Sequence, residues 1–417
     1  MTTVAFVGQT HLGLVSASAV AAKGLHTLCF DPSPALVEDL RAGNLPVSEP
    51  GLEDQIRANG DRQVFTADWT DLAQADVVYI ASDVPTDDQG ISDLTGIQAL
   101  VTQTLNHLNP DATLVILCQV PPGFTRQINR RSERLYYQVE TLVFGRAVER
   151  AMEPERYIVG CADPAADLPP AFSETLNAFG CPVLPMRYES AELAKISINM
   201  CLVASVSVAN TMAEICEHVG ADWSEIVPSL KLDRRIGPHS YLTPGLGIAG
   251  GNLERDLATV MRLAEAYGTD AGVVAAQVAN SIHRKNWATE TVQNLGLDTA
   301  TLAVWGLAYK ENTHSVKNSP SLHTLENLPD ASIRVHDPQV PGDAVPNRLT
   351  RVQDPFAALD AAHALLILTP WPEYRSVEPS EIARRLDGGI VIDPYHVLDR
   401  TATKAAGLTH ITLGVGD

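Results

Sequence analysis

The chain has 417 residues, of which 45% are hydrophobic and 19% charged, and a net charge of −20. That length exceeds one ordinary core and calls for two or three domains. The charge argues against a nucleic-acid binder, and no run of about 18 apolar residues stands out as a membrane span.

Met1 leads straight into a strand without the charged and long apolar regions of a signal peptide, so a cytoplasmic setting is expected. The six cysteines, Cys29, Cys118, Cys161, Cys181, Cys201 and Cys216, form no C-x-x-C pair and read as reduced and buried. No His/Cys cluster has zinc-ligand spacing, so no metal is expected. The strand Thr3–Val7 comes first, followed by strand candidates at Thr27–Phe30, Val77–Ala81, Thr113–Leu117, Tyr157–Val159 and Pro182–Leu184. Helical stretches lie between most of them. This alternation predicts a mostly parallel sheet with helices on both faces. Ser190 to about Val219 reads as one long helix, and Leu253–Asn280 as a second helical stretch. Alternation then returns with strands at Thr301–Trp305, Ser332–His336, Ala364–Leu368 and Gly389–Ile392. The expected fold class is α/β: two doubly wound, Rossmann-like domains joined by a central helical segment with a long helix.

Two patterns carry chemistry. After the first strand comes Gly8-Gln9-Thr10-His11-Leu12-Gly13, a G-x-T-x-x-G version of the dinucleotide fingerprint. Gly8 makes the tight turn and Gly13 lets helix and strand pack closely, while Thr10 puts a Cβ where the fingerprint has a glycine. Asp31, about 20 residues on, ends the second strand and suits a ribose hydroxyl; its charge favours NAD over NADP. The plainer alternative is a doubly wound domain that no longer binds cofactor. Lys195 and Asn199 share a helix face by their i, i+4 spacing, and polar groups in an apolar helix need partners. By themselves they also fit a surface lysine and its neighbour.

Several ordered motifs then agree. Asn44–Glu53, Glu192-Leu193-Ala194-Lys195, Arg235-Ile236-Gly237 with Tyr241-Leu242, Pro244–Leu257, Gly306–Thr313 with Ser319-Pro320, and Leu366–Tyr374 resemble, in sequence, the UDP-glucose/GDP-mannose dehydrogenase family. The resemblance implies an NAD-binding domain at residues 1–188, a central dimerisation segment with the active-site loop at 189–293, and a nucleotide-sugar domain at 294–417. It implies that Gly8, Thr10, Leu12, Gly13, Asp31, Val84, Gln119 and Lys317 meet NAD. It also implies that Glu140, Arg235, Tyr241, Gly247 and Lys310 meet the nucleotide-diphosphate sugar, and that the chain forms a homodimer away from membrane and nucleic acid. Lys195, Asn199 and Asp256 match the polar set at the oxidised carbon. In the family a cysteine then captures the aldehyde and water releases a uronic acid.

The departures concentrate on that second half. Asn252 stands at the cysteine, Gln119 at a threonine beside the nicotinamide and Phe144 at the second glutamate of the loop that keeps Glu140. Val84 and Lys317 replace a threonine and an arginine on the cofactor side, and Tyr395 stands where many members have a basic residue. An amide is not a nucleophile, and a phenyl ring is neither acid nor base. The expected function is a two-electron oxidation of a CH–OH group, or a redox-neutral epimerisation. The alternatives are a non-catalytic nucleotide-sugar or NAD-binding homologue and a conventional 6-dehydrogenase.

Overall fold

The computed structural model describes residues 2–87 and 91–416, which divide into a unit ending at Ile198 and a unit beginning at Asn199. In the first unit eight strands form one sheet: β1 (Thr3–Val7), β2 (His26–Phe30), β3 (Gln63–Thr66), β4 (Val77–Ile80), β5 (Thr113–Ile116), β6 (Leu135–Gln138), β7 (Tyr157–Cys161) and β8 (Val183–Arg187). Their order is β3-β2-β1-β4-β5-β6-β7-β8, all neighbours parallel except the β6–β7 pair. Strands β4, β5 and β6 are buried along their whole length, as helices on both faces of a parallel sheet require. At the edge, β8 exposes Leu184 and carries Pro185, which blunts it against further pairing.

The second unit repeats the plan. Strands β9 (Thr301–Trp305), β10 (Ser332–His336), β11 (Thr350–Arg351), β12 (Ala364–Ile367), β13 (Ile390–Ile392) and β14 (Thr409–Ile411) lie in the order β11-β10-β9-β12-β13-β14, all parallel. In both sheets the order reverses beside the first strand of the unit. That is the switch point where doubly wound folds bind ligands, at the carboxyl ends of the strands. The two doubly wound sheets and the long helix are those expected.

Four strands, β3, β6, β11 and β14, have no counterpart in the sequence reading. β11 and β14 are short, and β3 and β14 carry exposed positions, so neither gives a clear apolar run. The stretch Leu253–Asn280 is two helices, not one: Asn252–Tyr267 ends on Gly268 in the left-handed region, and Gly272–Lys285 follows. A left-handed glycine bonding back to the last carbonyls terminates a helix whatever the periodicity beyond it. The long helix spans Tyr188–Val219. Its most apolar 18 residues have a mean hydropathy of 1.5, enough to cross a bilayer by length and composition alone. Against that, Asn210, Glu214 and Glu217 of this helix bond Gly245, His283 and Trp287, which is how a helix packed inside protein treats its polar groups.

The cysteine expectation needs correction. All six are free, but Cys201 is exposed and Cys181 is half-buried.

Candidate active site

The first unit builds a dinucleotide turn. Gly8 has φ +98°, and a Cβ on it would lie 2.7 Å from Ser82 Cβ. A Cβ on Gly13 would lie 1.8 Å from the Gly8 carbonyl oxygen, so only glycine lets the helix His11–Ala22 start this close to β1. Thr10 is the N-cap, yet its hydroxyl does not cap; it accepts a hydrogen bond from the Asp83 N–H at 2.9 Å. The extra side chain is thereby tied to the loop after β4. First-turn N–H groups of such a helix have no intrahelical acceptor and form an anion site. Leu12 is buried behind the turn, and Val84 and Gln119 are half-buried on the loops after β4 and β5.

Asp31, buried at the end of β2, accepts from Gln9 N at 2.8 Å and Ser33 N at 2.9 Å, one on each oxygen. A carboxylate has about four acceptor sites, so capacity remains for a ribose hydroxyl. The second unit shows the contrast. Gly306 (φ +98°) repeats Gly8, and Asp337 ends β10 as Asp31 ends β2. Asp337, however, accepts from Leu307 N, Ala308 N, Gln339 N, Val340 N and Trp371 Nε1. Five donors saturate it. The chemistry of the donor set thus fits NAD in the first unit.

Glu140, in the loop after β6, brings Oε2 to 3.4 Å from Lys195 Nζ on the long helix, while its Oε1 accepts the Leu142 N–H. The side chains are only 12% and 18% exposed, so the pair is poorly screened. Glu192, one turn before, is fully buried and clamps the loop after β5 by accepting from Gly123 N and Thr125 N. Burial raises its pKa above the usual carboxylate range. Phe144 stacks on His11 with centroids 4.1 Å apart, and His11 Nε2 meets Glu49 Oε2 at 2.9 Å. Glu49 also takes the Gly145 and Ala147 N–H groups. The aromatic at position 144 therefore packs on the cofactor turn.

In the second unit Asn199 Nδ2 donates to Asp256 Oδ2 at 2.5 Å, and Arg255 Nε lies 3.5 Å from Oδ1. Asp256 is 1% exposed. Asn252 is exposed at the first position of the helix Asn252–Tyr267, after Gly250 (φ +88°) and Gly251 (φ +97°). A Cβ on Gly250 would strike the Tyr309 ring at 2.4 Å, and one on Gly251 would meet Lys317 Cε at 3.2 Å. Upstream, Asn210 Oδ1 accepts from Gly245 N, Ser281 Oγ accepts from Ile248 N, and a Cβ on Gly247 would lie 2.4 Å from the Ser281 carbonyl oxygen. Tyr395 is held with its hydroxyl against the Leu246 backbone, and burial raises its pKa. Lys310 is half-buried over Tyr309. Arg235 and Tyr241 are exposed, and Arg235 is bonded to its neighbour Asp233.

The structure therefore joins Lys195 with Glu140 and Asn199 with Asp256, one helical turn apart, and sets Asn252, Gly247 and Lys317 on one braced loop system. Sequence reasoning missed Glu49, Glu192, Asn210, Ser281 and Asp337 as its supports. The available signal was physical: a carboxylate or amide in an apolar run must find donors.

Two doubly wound units, a dinucleotide turn and a half-buried lysine–carboxylate pair define a dinucleotide-binding α/β protein. Comparison with known proteins narrows this. Residues 2–176 match the NAD-binding domain of the UDP-glucose/GDP-mannose dehydrogenase family, residues 189–282 its central domain and residues 303–400 its UDP-binding domain. The chain is 30% identical to UDP-glucose 6-dehydrogenase of Pseudomonas aeruginosa, over 98% of this chain and 96% of that one. It is 29% identical to UDP-glucose 6-dehydrogenase TuaD of Bacillus subtilis, over 99% and 93%. The solved UDP-glucose dehydrogenase of Pyrobaculum islandicum aligns with a TM-score of 0.85 at 26% identity, covering 99% and 97%. The chain belongs to the UDP-glucose/GDP-mannose dehydrogenase family, NAD-dependent enzymes that oxidise nucleotide sugars.

Proposed function

We propose that this chain removes two electrons, not four, from one CH–OH group of a nucleotide-diphosphate sugar. The carbonyl is then either released or reduced again after inversion. The observation that carries this reading is Asn252, exposed at the head of its helix on the Gly250–Gly251 turn. An amide there cannot capture an aldehyde, and without a thioester the second oxidation loses its covalent route. Phe144 adds to it, since a ring stacked on His11 offers water no acid or base.

Bound NAD supplies the hydride acceptor. Gly8, Gly13 and the first turn of the helix would hold its pyrophosphate, and Asp31 its ribose. Lys195 hands a proton to Glu140 as it takes the alcohol proton, and its charge then stabilises the carbonyl oxygen. Asp256 fixes the Asn199 amide, which keeps its second N–H and its oxygen for a ligand. Lys310 and Arg235 supply positive charge for the diphosphate of an otherwise acidic chain. A binding-only homologue has no use for a poorly screened lysine–carboxylate pair. We place this activity in a cytoplasmic homodimer built on the long helix, whose exposed Val208, Ile215 and Val219 suit burial against a second copy.

The test is the NADH formed per nucleotide sugar consumed, with products identified by mass spectrometry and NMR. UDP-glucose comes first, because the relatives above are named for it, followed by GDP- and TDP-sugars. One NADH with a carbonyl product, or consumption without net NADH, supports the reading. Two NADH with a uronic acid refute it.

A further inference from the structure

Taking a proton from an alcohol creates a disposal problem that the Lys195–Glu140 pair does not solve by itself. When the C–H electron pair leaves as hydride to NAD, the O–H bond also breaks: its electrons form the second C–O bond and its proton remains in the protein. In the redox-neutral variant that proton must later return. A carboxylate that touches both the accepting amine and a path to solvent meets both needs.

Glu140 meets the first need through Lys195. It also lines a cavity of about 60 Å³ inside the first unit, together with Ser16, Tyr79, Gln138, Tyr157 and Thr175. The Tyr79 hydroxyl donates to Gln138 Oε1 at 3.0 Å, which leaves the Gln138 amide donors and the tyrosine lone pairs for other partners. Thr175 donates to the Ala171 carbonyl and keeps its own lone pairs. A void of that size has room for water, and Tyr79, Gln138 and Thr175 put polar groups into a wall that is otherwise largely apolar. Half-buried Thr141, Leu142, Ala151 and Pro154 form its rim, with Arg150 beside them. Tyr79 is buried and Tyr157 half-buried, and desolvation raises both phenol pKa values, so they hand hydrogen bonds along without ionising.

We propose that this cavity is a water-filled proton route, in which Glu140 passes the proton of Lys195 to water and on to solvent at the Ala151 rim. The inference rests on the oxidation proposed above. In it Glu140 is a relay as well as a partner of Lys195.

A high-resolution crystal structure of the full chain reads the first half. Ordered waters bonded to Glu140 and to Gln138 or Tyr79 are expected, and a dry cavity overturns the proposal. The second half uses Ala151→Leu as a plug, shown by its own crystal structure to displace the rim water, with Ala151→Ser as the control. With NAD and UDP-glucose, or whichever nucleotide sugar turns over, the plug lowers kcat about tenfold with KM unchanged. It also raises the solvent deuterium effect, and a small buffer such as imidazole restores the rate. A plug that leaves kcat and the isotope effect as in the wild type overturns the route while wild-type oxidation stands. Failure of the oxidation itself shows separately, as a wild-type chain that turns over no nucleotide sugar, and that removes both readings.

Discussion

Asn199 and Asp256 form a buried pair whose energetics follow from its geometry. The Asn199 amide donates to a carboxylate oxygen at 2.5 Å, and the carboxylate is 1% exposed, with Arg255 on its other oxygen. A hydrogen bond to a charged group contributes about 1.5–3 kcal/mol, and its loss here strands an acceptor that water does not reach. Asn199→Leu is therefore expected to cost about 2 kcal/mol of unfolding free energy at neutral pH. Asp256→Leu removes the acceptor of the Asn199 amide and one ionic partner of the buried Arg255, and is expected to cost about 3–5 kcal/mol. The double variant removes both ends of the first bond, so its loss is smaller than the sum by about 1 kcal/mol or more. Urea unfolding of all four proteins, in one buffer and with m-values compared, gives the coupling. Turnover measured alongside shows whether the pair also serves chemistry, since both single variants then lose kcat. Additive losses, with coupling under about 0.5 kcal/mol, would refute the claim that these side chains are bonded.

Three other outcomes are expected. Gly13→Ala drives a Cβ to 1.8 Å from the Gly8 oxygen and is expected to lower NAD affinity at least tenfold by isothermal titration, whereas Gly96→Ala, with nothing within 4 Å, leaves it unchanged. Asn252→Cys puts a thiol at the first position of a helix, which favours the thiolate; with NAD and sugar nucleotide, intact-protein mass spectrometry should show a trapped sugar adduct, and an unmodified mass during turnover argues against Asn252 facing the carbonyl. The Arg126 guanidinium holds the Glu189 carboxyl down to about 2, from an ordinary 4.5. A depressed carboxyl contributes stability that is fully present above about pH 4.5 and is lost as pH falls through about 2. Both side chains are more than a third exposed, so Arg126→Gln is expected to cost about 0.5–1 kcal/mol at pH 7 and almost nothing near pH 2, read from unfolding curves across that window.

The sequence alone fixed what depends on short-range chemistry. β1, Gly8 to Gly13 and Asp31 lie within one strand–turn–helix–strand unit, so pattern and spacing reveal the dinucleotide turn. The helix face shared by Lys195 and Asn199 is set by 3.6 residues per turn. The reading of Asn252 at the position of the family's cysteine concerns one residue type and needs no coordinates. Tertiary structure decided what depends on groups far apart in the chain. Glu140 meets Lys195 across 55 residues, and Asn199 meets Asp256 across 57. Thr10 looked like an obstruction to cofactor, and only the Asp83 N–H shows where its hydroxyl is tied. Phe144 read as a lost glutamate, and only the fold reveals its stack on His11. Asp31 and Asp337 both end second strands, yet one keeps acceptor capacity and the other is saturated by five donors, two of them from the loop after β9. The physical reason is common to all five cases. Periodicity records which face a residue takes, whereas the donors and acceptors that meet it come from segments whose approach is set by packing.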